Sequence, residues 1–226
     1  MKLTPAQKTI IERVVNAFET GRPDGDYSAI ALFYDGPHGI RQITYGRSQT
    51  TEYGKLRLLI RRYVAAGGMY SRNLDEYVDR VGEEPLTDDP QFRSLLRTAG
   101  RKDPVMRDVQ DAFFEQQFFA PAMQWARDRC FTLPLSALVV YDSFIHSGSI
   151  LPLIRRTFPE RTPDAGGDER AWTTAYVTAR HAWLAGHSRS YVRRTRYRTR
   201  CLTEEIRRAN WHLEVKPILA NDVVVG

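Results

Sequence analysis

Residues 133–148, LPLSALVVYDSFIHSG, are apolar on nearly every face of a helix. A helix of this composition is stable in water only when other elements surround it. The stretch therefore predicts a central buried helix with the rest of the chain packed around it. Asp142 interrupts the apolar run, and a carboxylate at such a position needs a cation or several hydrogen-bond donors.

Arg180 is the natural partner for Asp142, because it lies in a second predicted helix, residues 166–187, beside an apolar contact residue, Tyr176. Arg198 is another candidate. Two interpretations stay open. The pair is either a core ion pair that only joins helices, or part of a network that also tunes the ionisation of a catalytic acid.

The periodicity along the rest of the chain is helical nearly throughout. Thr4 and Pro5 predict the cap and first position of an N-terminal helix, whose apolar stripe ends at Gly21. Residues 31–46, ALFYDGPHGIRQITYG, alternate instead, and their Gly and Pro predict the turn of one small β-hairpin. The chain is therefore predicted to be mainly α, and residues 1–226 are expected to form a single domain.

The composition is that of a globular protein, with 226 residues, 42% hydrophobic residues and a net charge of +6. No apolar stretch reaches the length of a bilayer span, and the first residues lack the apolar core of a signal peptide. Cys130 and Cys201 give neither a metal spacing nor a disulfide framework, and whether they pair stays open. The positive charge favours anionic partners, and much of it lies in the arginine-rich residues 188–200.

Glu19 and Asp35 are the candidate pair for acid–base chemistry. Glu19 ends the predicted first helix directly after Phe18, and both the helix dipole and this apolar neighbour disfavour its ionisation. A general acid needs that property near neutral pH. Asp35 lies on the turn entering the hairpin, where better solvation should keep it ionised, as a base requires. The alternative is that both residues are solvated loop acids.

Five segments, read in order, resemble the family 46 chitosanases of the lysozyme-like superfamily: VVNAFETGRPDGDY, FYDGPHG, VVYDSFIHSG, RTPDAGGDERAW with AYVTAR, and NWHLEVKP. Their most specific blocks are Y-D-x-x-I-H-x-G and R-T-P-x-x-G-G-D-E. The resemblance implies two lobes around a substrate cleft that the hairpin lines. It also implies endo-acting, inverting hydrolysis of β-1,4-linked amino-sugar polymers, most directly chitosan. Two carboxylates and water suffice for that reaction, so we expect no cofactor and no metal.

The resemblance assigns roles to particular residues. Glu19 matches the general acid that closes the first helix, and Asp35 matches the base in a D-G turn. An inverting pair lies roughly 6.5–9.5 Å apart, which leaves room for the attacking water. Behind the acid, the family joins a buried aspartate to two arginines, which here match Asp142, Arg180 and either Arg198 or Arg196.

Other positions depart from the family pattern or match it loosely. The threonine that usually holds the water is replaced by Ile40, and Thr44 on the same predicted face is the expected substitute. Glu52 lies near the position of an aspartate that grips a substrate amine. His38 and Asp168 are further predicted substrate contacts. Each has a structural alternative, because His38 could cap its turn and Asp168, like its neighbour Glu169, could cap a helix.

Three functions compete at this point. The first is a chitosanase, and the second is a lysozyme-like hydrolase of peptidoglycan, which the basic residues 44–62 and the missing signal peptide favour. The third is a non-catalytic module that binds nucleic acid through residues 188–200, ranked last because it uses none of the carboxylates. We expect a polysaccharide partner, no membrane or nucleic-acid partner, and action outside the cell or in the cell envelope.

Overall fold

The computed structural model describes residues 1–47 and 49–226. In chain order the helices and strands are α1 (Pro5–Thr20), β1 (Ile30–Phe33), β2 (Gln42–Tyr45), β3 (Thr50–Thr51), α2 (Arg57–Ala65), α3 (Ser71–Asp75), α4 (Pro90–Lys102), α5 (Pro104–Phe114), α6 (Ala120–Asp128), α7 (Pro134–Ser147), α8 (Pro152–Arg155), α9 (Glu169–Gly186), α10 (Ser190–Arg194), α11 (Arg196–Arg207), β4 (Ile218–Ala220) and β5 (Val223–Val225). The mainly α fold with a small antiparallel sheet confirms the predicted fold class.

The chain divides into two compact units. Unit 1 consists of Met1–Asp24 and Gln116–Gly226, and unit 2 consists of Gly25–Glu115. Within the described part of the chain, no helix is long and apolar enough to cross a lipid bilayer. Both cysteines are free thiols, Cys130 exposed and Cys201 buried. The arrangement of two lobes around a cleft stays a prediction.

Helix α1 begins and ends where the sequence predicts. The Thr4 hydroxyl accepts a hydrogen bond from the Gln7 backbone N–H at 3.2 Å, and the Gln7 side chain accepts one from the Thr4 N–H at 3.0 Å. This reciprocal capping box satisfies two N–H groups at the start of the helix. At the other end, Gly21 takes a left-handed conformation (φ 68°) and donates to the Ala17 carbonyl. The buried face is formed by Ile10, Ile11, Val14, Val15, Ala17 and Phe18.

Helix α7 is the central helix of unit 1, as its sequence predicts. Every residue from Pro134 to Phe144 is buried. The helix packs against α1, α6, α9 and α11, which together surround it. Full burial of each large apolar side chain contributes roughly 1.5–3 kcal/mol, so this one helix accounts for a large share of the driving force for folding unit 1.

Pro121 lies just after a widened helical turn between α5 and α6. Helix α5 ends at Phe114, a π-helical turn covers Glu115–Phe119, and α6 begins at Ala120. Proline has no backbone N–H to continue the helical ladder, and its ring crowds the preceding turn. The backbone accommodates this by a single wide turn rather than by a break.

The predicted hairpin is present in unit 2 and is joined by a third strand. Strands β1 and β2 pair antiparallel with Phe33 opposite Gln42 and Ala31 opposite Thr44. Strand β3 pairs with β2 through Thr44 and Thr51. The expectation of a lone hairpin is therefore wrong for this sheet, because a strand of two residues is too short to show an alternating pattern.

A second hairpin near the C-terminus was also missing from the prediction. Strands β4 and β5 pair antiparallel, with Ala220 opposite Val223. The turn residues Asn221 and Asp222 have φ values of 52° and 60°. Positive φ at both central positions is the geometry that two-residue hairpins favour, and Asn and Asp tolerate it. An Asn-Asp pair between two apolar runs was the sequence signal for this hairpin.

Candidate active site

Glu19 lies in the last turn of α1, where one direct contact and two contacts of neighbouring residues fix its position. The Gly21 cap ends the helix just beyond it. The Tyr197 hydroxyl donates a 2.7 Å hydrogen bond to the carbonyl of the preceding residue, Phe18. The Arg198 guanidinium donates through Nη2 to Glu19 Oε1, and only 11% of the Glu19 side chain is exposed. The carboxyl group is thus largely dry and has a fixed direction.

Asp142 joins the two predicted arginines at the centre of unit 1. Its Oδ2 accepts from Arg180 Nη1 at 2.5 Å, and its Oδ1 accepts from Arg198 Nη1 at 2.6 Å. Asp142 and Arg180 are fully buried, and Arg198 is 3% exposed. The predicted ion pairs of Asp142 are therefore confirmed. The second arginine is Arg198 rather than Arg196, whose Nε donates to a backbone carbonyl instead.

These contacts form a continuous chain, from Arg180 through Asp142 and Arg198 to Glu19, which we call the acid network. Burial raises the pKa of Glu19 above its ordinary value, and the Arg198 guanidinium opposes that rise. Burial would also raise the pKa of Asp142, but the guanidiniums of Arg180 and Arg198 outweigh it and hold the pKa below the usual range. Asp142 therefore stays charged while Glu19 tends to keep its proton.

His146 lies one turn after Asp142 on α7 and is electrically neutral. Its Nδ1 lies 3.1 Å from the Ser147 hydroxyl oxygen. Burial, together with the positive charges of Arg198 and Arg180, lowers the pKa of His146 to about 3. The imidazole thus adds no further positive charge behind the acid at neutral pH.

Asp35 lies in the loop between β1 and β2 of unit 2, half-buried. Its Oδ1 accepts a 2.9 Å hydrogen bond from Gln42 Nε2, and the other end of that amide, Oε1, accepts from the Tyr53 N–H at 3.2 Å. The Gly36 N–H donates to the Ile40 carbonyl at 3.0 Å, and a Cβ on Gly36 would lie only 2.7 Å from that oxygen. The tight D-G turn and the buried amide together orient the carboxylate.

Gln42 and Tyr197 are positioning residues that the sequence analysis missed. Gln42 is 5% exposed and follows the turn by several residues, so no local pattern connects it with Asp35. Only the strand register, which places Gln42 opposite Phe33, brings its side chain to Asp35. Tyr197 adjoins Arg198 in the arginine-rich segment, where its aromatic ring was the only indication of a buried contact.

Thr44 occupies a different environment from the one predicted for it. It is 4% exposed, and its hydroxyl donates a 3.1 Å hydrogen bond to the Ala31 carbonyl on the neighbouring strand. The hydroxyl proton is therefore used inside the sheet. The prediction that Thr44 positions the water is wrong. Ile40, at the position of the family threonine, is 39% exposed.

Glu52 is a structural carboxylate. It is 1% exposed, and its two oxygens accept backbone hydrogen bonds from Ile43 at 2.9 Å and Leu86 at 2.7 Å. Burial raises its pKa, while the two backbone hydrogen bonds oppose the rise. With both oxygens engaged and no access to solvent, it is not placed to grip a substrate amine, and that prediction is wrong.

The remaining predicted contacts fall at the surface. His38 is exposed in the turn Pro37–Gly39, which the backbone N–H groups of Gly39 and Ile40 close without its side chain. Its predicted capping role is therefore wrong, and its substrate contact stays a prediction. Asp168 caps α9, where its Oδ1 accepts from the Ala171 N–H at 2.7 Å, which confirms its structural alternative.

Glu169 has a structural role different from a cap. Its carboxylate accepts from the backbone N–H groups of Thr132 at 2.8 Å and Leu133 at 2.7 Å, and from the Thr132 hydroxyl. Glu169 therefore ties the first turn of α9 to the segment that leads into α7.

The arginine-rich residues 188–200 serve unit 1 in several ways. Arg193 Nη1 donates to the His187 carbonyl at 2.6 Å, and Arg196 Nε donates to the Arg193 carbonyl at 3.0 Å. Arg198 belongs to the acid network. Part of the positive charge of this run is therefore used inside unit 1.

The sequence profile of Glycosyl hydrolase family 46 matches residues 13–218. The match covers most of the chain, so the protein is a glycoside hydrolase. It belongs to glycosyl hydrolase family 46.

Individual relatives agree with this assignment. A chitosanase of Bacillus subtilis (strain 168) is 25% identical over 193 residues, covering 79% of this chain and 68% of the relative. The GH46 chitosanase of Gynuella sunshinyii, solved in complex with chitotetraose, has a TM-score of 0.84 at 23% identity, covering 99% of this chain and 98% of that one. An alanine mutant of the chitosanase from Bacillus subtilis MY002, complexed with 6 GlcN, has a TM-score of 0.85 at 22% identity, covering 100% of both chains. These two structures establish the shared fold.

Proposed function

We propose that this family 46 hydrolase cleaves chitosan, a β-1,4-linked polymer of glucosamine, at internal bonds and with inversion of configuration. The observation that carries the proposal is the setting of Glu19, because burial raises its pKa while the acid network holds the carboxyl group in a fixed position. The chitosanase relatives support the choice of polymer. The proposal places the action outside the cell or in the cell envelope, where a long polysaccharide is accessible.

In this mechanism Glu19 is the general acid. Burial keeps its proton in place until the glycosidic oxygen takes it. The acid network then stabilises the anion that remains, because two guanidiniums, Arg180 and Arg198, face one permanent carboxylate, Asp142. This leaves an excess positive charge, which the newly formed Glu19 carboxylate neutralises through Arg198. The same contact that opposes the rise in the pKa of Glu19 therefore stabilises the carboxylate that forms as the bond breaks.

Asp35 is the general base of the proposal. It would take a proton from the water that attacks the anomeric carbon on the face opposite the leaving group. The hydrogen bond from Gln42 fixes one of its oxygens, and the second oxygen is the one proposed to accept the proton. The Asp35 carboxylate is regenerated when that proton passes to solvent, and Glu19 takes a proton back from solvent, so the cycle closes with water as the only co-reactant.

The stereochemistry of the first products tests this pairing. An inverting enzyme releases the new reducing end with the α configuration from a β-linked substrate. We expect proton NMR spectra, recorded before mutarotation equilibrates the ends, to show the α signal first. Early appearance of the β signal would contradict the proposal, because retention needs a nucleophile and carboxylates only about 5–5.5 Å apart.

The choice of polymer is tested with the purified protein on two substrates, soluble chitosan and bacterial cell-wall sacculi. We expect a rapid fall in the size of chitosan, which endo-cleavage produces, and no release from sacculi. Release from sacculi alone would favour the lysozyme-like alternative, for which the basic residues 44–62 (Ser48 lies outside the described residues) are the supporting feature. If the protein cleaves neither substrate, the proposed activity is wrong.

A further inference from the structure

A groove of about 560 Å³ lies on unit 1, between one face of α9 and the segment formed by α8 and the loop after it. Its volume is in the range of small-ligand pockets. None of the four residues of the acid network is among those lining it. The groove is therefore a separate feature from the candidate active site.

The shape of the groove comes from small residues on α9 and aromatic residues beside them. Ala175, Ala179 and Ala182 follow one another at helical spacing and form an apolar floor. Phe158 and Trp183 line the groove as well. A flat aromatic surface is suited to the apolar C–H face of a pyranose ring, because both are rigid and the contact costs little side-chain entropy.

The aromatic rings are held in place by packing. Phe158 meets Trp172 and Tyr176 edge-on, with ring centroids 5.9 and 6.3 Å apart. Trp183 meets the His187 ring edge-on at 5.1 Å. The rings are thus fixed before any ligand arrives, which reduces the entropic cost of binding.

Glu160 supplies the polar group that makes this groove more than an apolar depression. It lines the groove, and its Oε2 atom is buried without a hydrogen-bond partner among the described residues. Burying a carboxylate oxygen without a donor is costly, so such an atom points to a missing cation or donor. The neighbouring Arg155 does not fill that role, since its Nη1 and Nη2 donate to the carbonyls of Phe158 and Glu160 at 2.9 and 2.7 Å.

We propose that this groove is a second binding site for glucosamine units of the polymer. The aromatic rings of Phe158 and Trp183 take the apolar face of the sugar, and the Glu160 carboxylate takes its ammonium group. Glu160 is only half-buried, so a turn of its carboxylate brings this oxygen to the groove, where an ammonium supplies N–H donors and a positive charge. The inference rests on the proposed function for the identity of the sugar.

A second site has a physical use in a chain of this charge. The protein carries a net charge of +6, and chitosan is itself a polycation, so long-range repulsion lowers the rate at which they meet. Once one stretch of polymer is held in the groove, other stretches stay close to the protein at high effective concentration. The groove would therefore retain the polymer between successive cleavages.

The test uses the chain carrying Glu19→Gln, which leaves the oligosaccharide intact, and follows amide and indole signals by NMR during titration with glucosamine tetramer. We expect the signals of Ala179, Ala182 and Trp183 to shift with a single dissociation constant. The N-acetylated tetramer, which lacks the ammonium, should bind the groove about tenfold more weakly. Comparing the two tetramers tests the role of the ammonium group without substituting any residue of the groove.

The groove variant Glu160→Gln should also bind the glucosamine tetramer about tenfold more weakly, because it keeps the shape and removes the charge. Glu214→Gln, an exposed position in the same unit, is the matched control and should leave the affinity unchanged. Absence of shifts in the groove, or equal affinity for both tetramers, would overturn the proposal. Cleavage of chitosan by the unmodified chain is measured separately, so failure of the groove and failure of the proposed function remain distinguishable.

Discussion

Glu19→Gln should lower kcat on chitosan by roughly 10²–10⁴, the usual effect of losing a positioned acid or base. Glutamine keeps the shape of the protonated carboxyl group but has no proton to donate to the glycosidic oxygen. Burial raises the pKa of Glu19, so the amide also resembles the state that the wild-type residue tends to hold. We therefore expect little change in the thermal unfolding midpoint. Release of reducing ends, measured at saturating substrate, gives the ratio of rates.

The matched control for this variant is Glu76→Gln, which removes a carboxylate from an exposed position in unit 2. It should leave both kcat and the unfolding midpoint unchanged. If Glu19→Gln keeps more than a tenth of the wild-type rate while Glu76→Gln behaves as expected, Glu19 is not the general acid.

Asp142→Ala should destabilise the protein by about 3–5 kcal/mol, because it removes the only carboxylate that pairs directly with Arg180 in the described part of the chain. The Arg180 side chain is fully buried, so its positive charge would lose its partner without gaining water. Chemical denaturation followed by circular dichroism measures the free energy of unfolding. The exposed Asp164→Ala in the same unit should change it by close to zero. An equally small effect of Asp142→Ala would show that the ion pairs contribute nothing to stability.

Asp142→Asn separates the structural contribution of the acid network from its effect on catalysis. The amide side chain would preserve the shape of the carboxylate but not its charge, so the positive charge of Arg198 would act more strongly on Glu19. Because Asp142 itself helps to raise the pKa of Glu19, its neutralisation lowers that pKa. The active form of Glu19 is protonated, and activity falls as pH rises through its pKa. The alkaline limb of the pH–rate profile should therefore move to lower pH.

For this variant, turnover should also fall by more than the folded fraction explains. A well-folded Asp142→Asn protein with wild-type turnover and an unchanged pH–rate profile would limit the acid network to a structural role. That result would leave the assignment of Glu19 untouched, since the two residues are tested by different measurements.

Local sequence patterns were sufficient for several parts of this protein. The apolar run of α7 predicted its central position, because a helix without a polar face has to be surrounded. The capping residues around Thr4 and Gly21 placed both ends of α1, and hence Glu19 in its last turn. Asp142 was recognisable as a buried carboxylate from its neighbours alone. In each case the decisive interactions lie within a few residues of one another.

Which groups meet in the candidate active site depends on contacts between distant parts of the chain. The Glu19–Arg198 contact joins residues 179 positions apart, and the Asp142–Arg198 contact joins residues 56 apart. Arg196 is two residues from Arg198 and therefore lies on nearly the opposite face of α11. The burial of Glu52 and Thr44 likewise depends on strands and loops that reach them from elsewhere in the chain. Whether a polar side chain binds a substrate or supports the backbone is set by its solvent exposure and its available donors. Those quantities arise from packing between distant segments, and no local pattern encodes them.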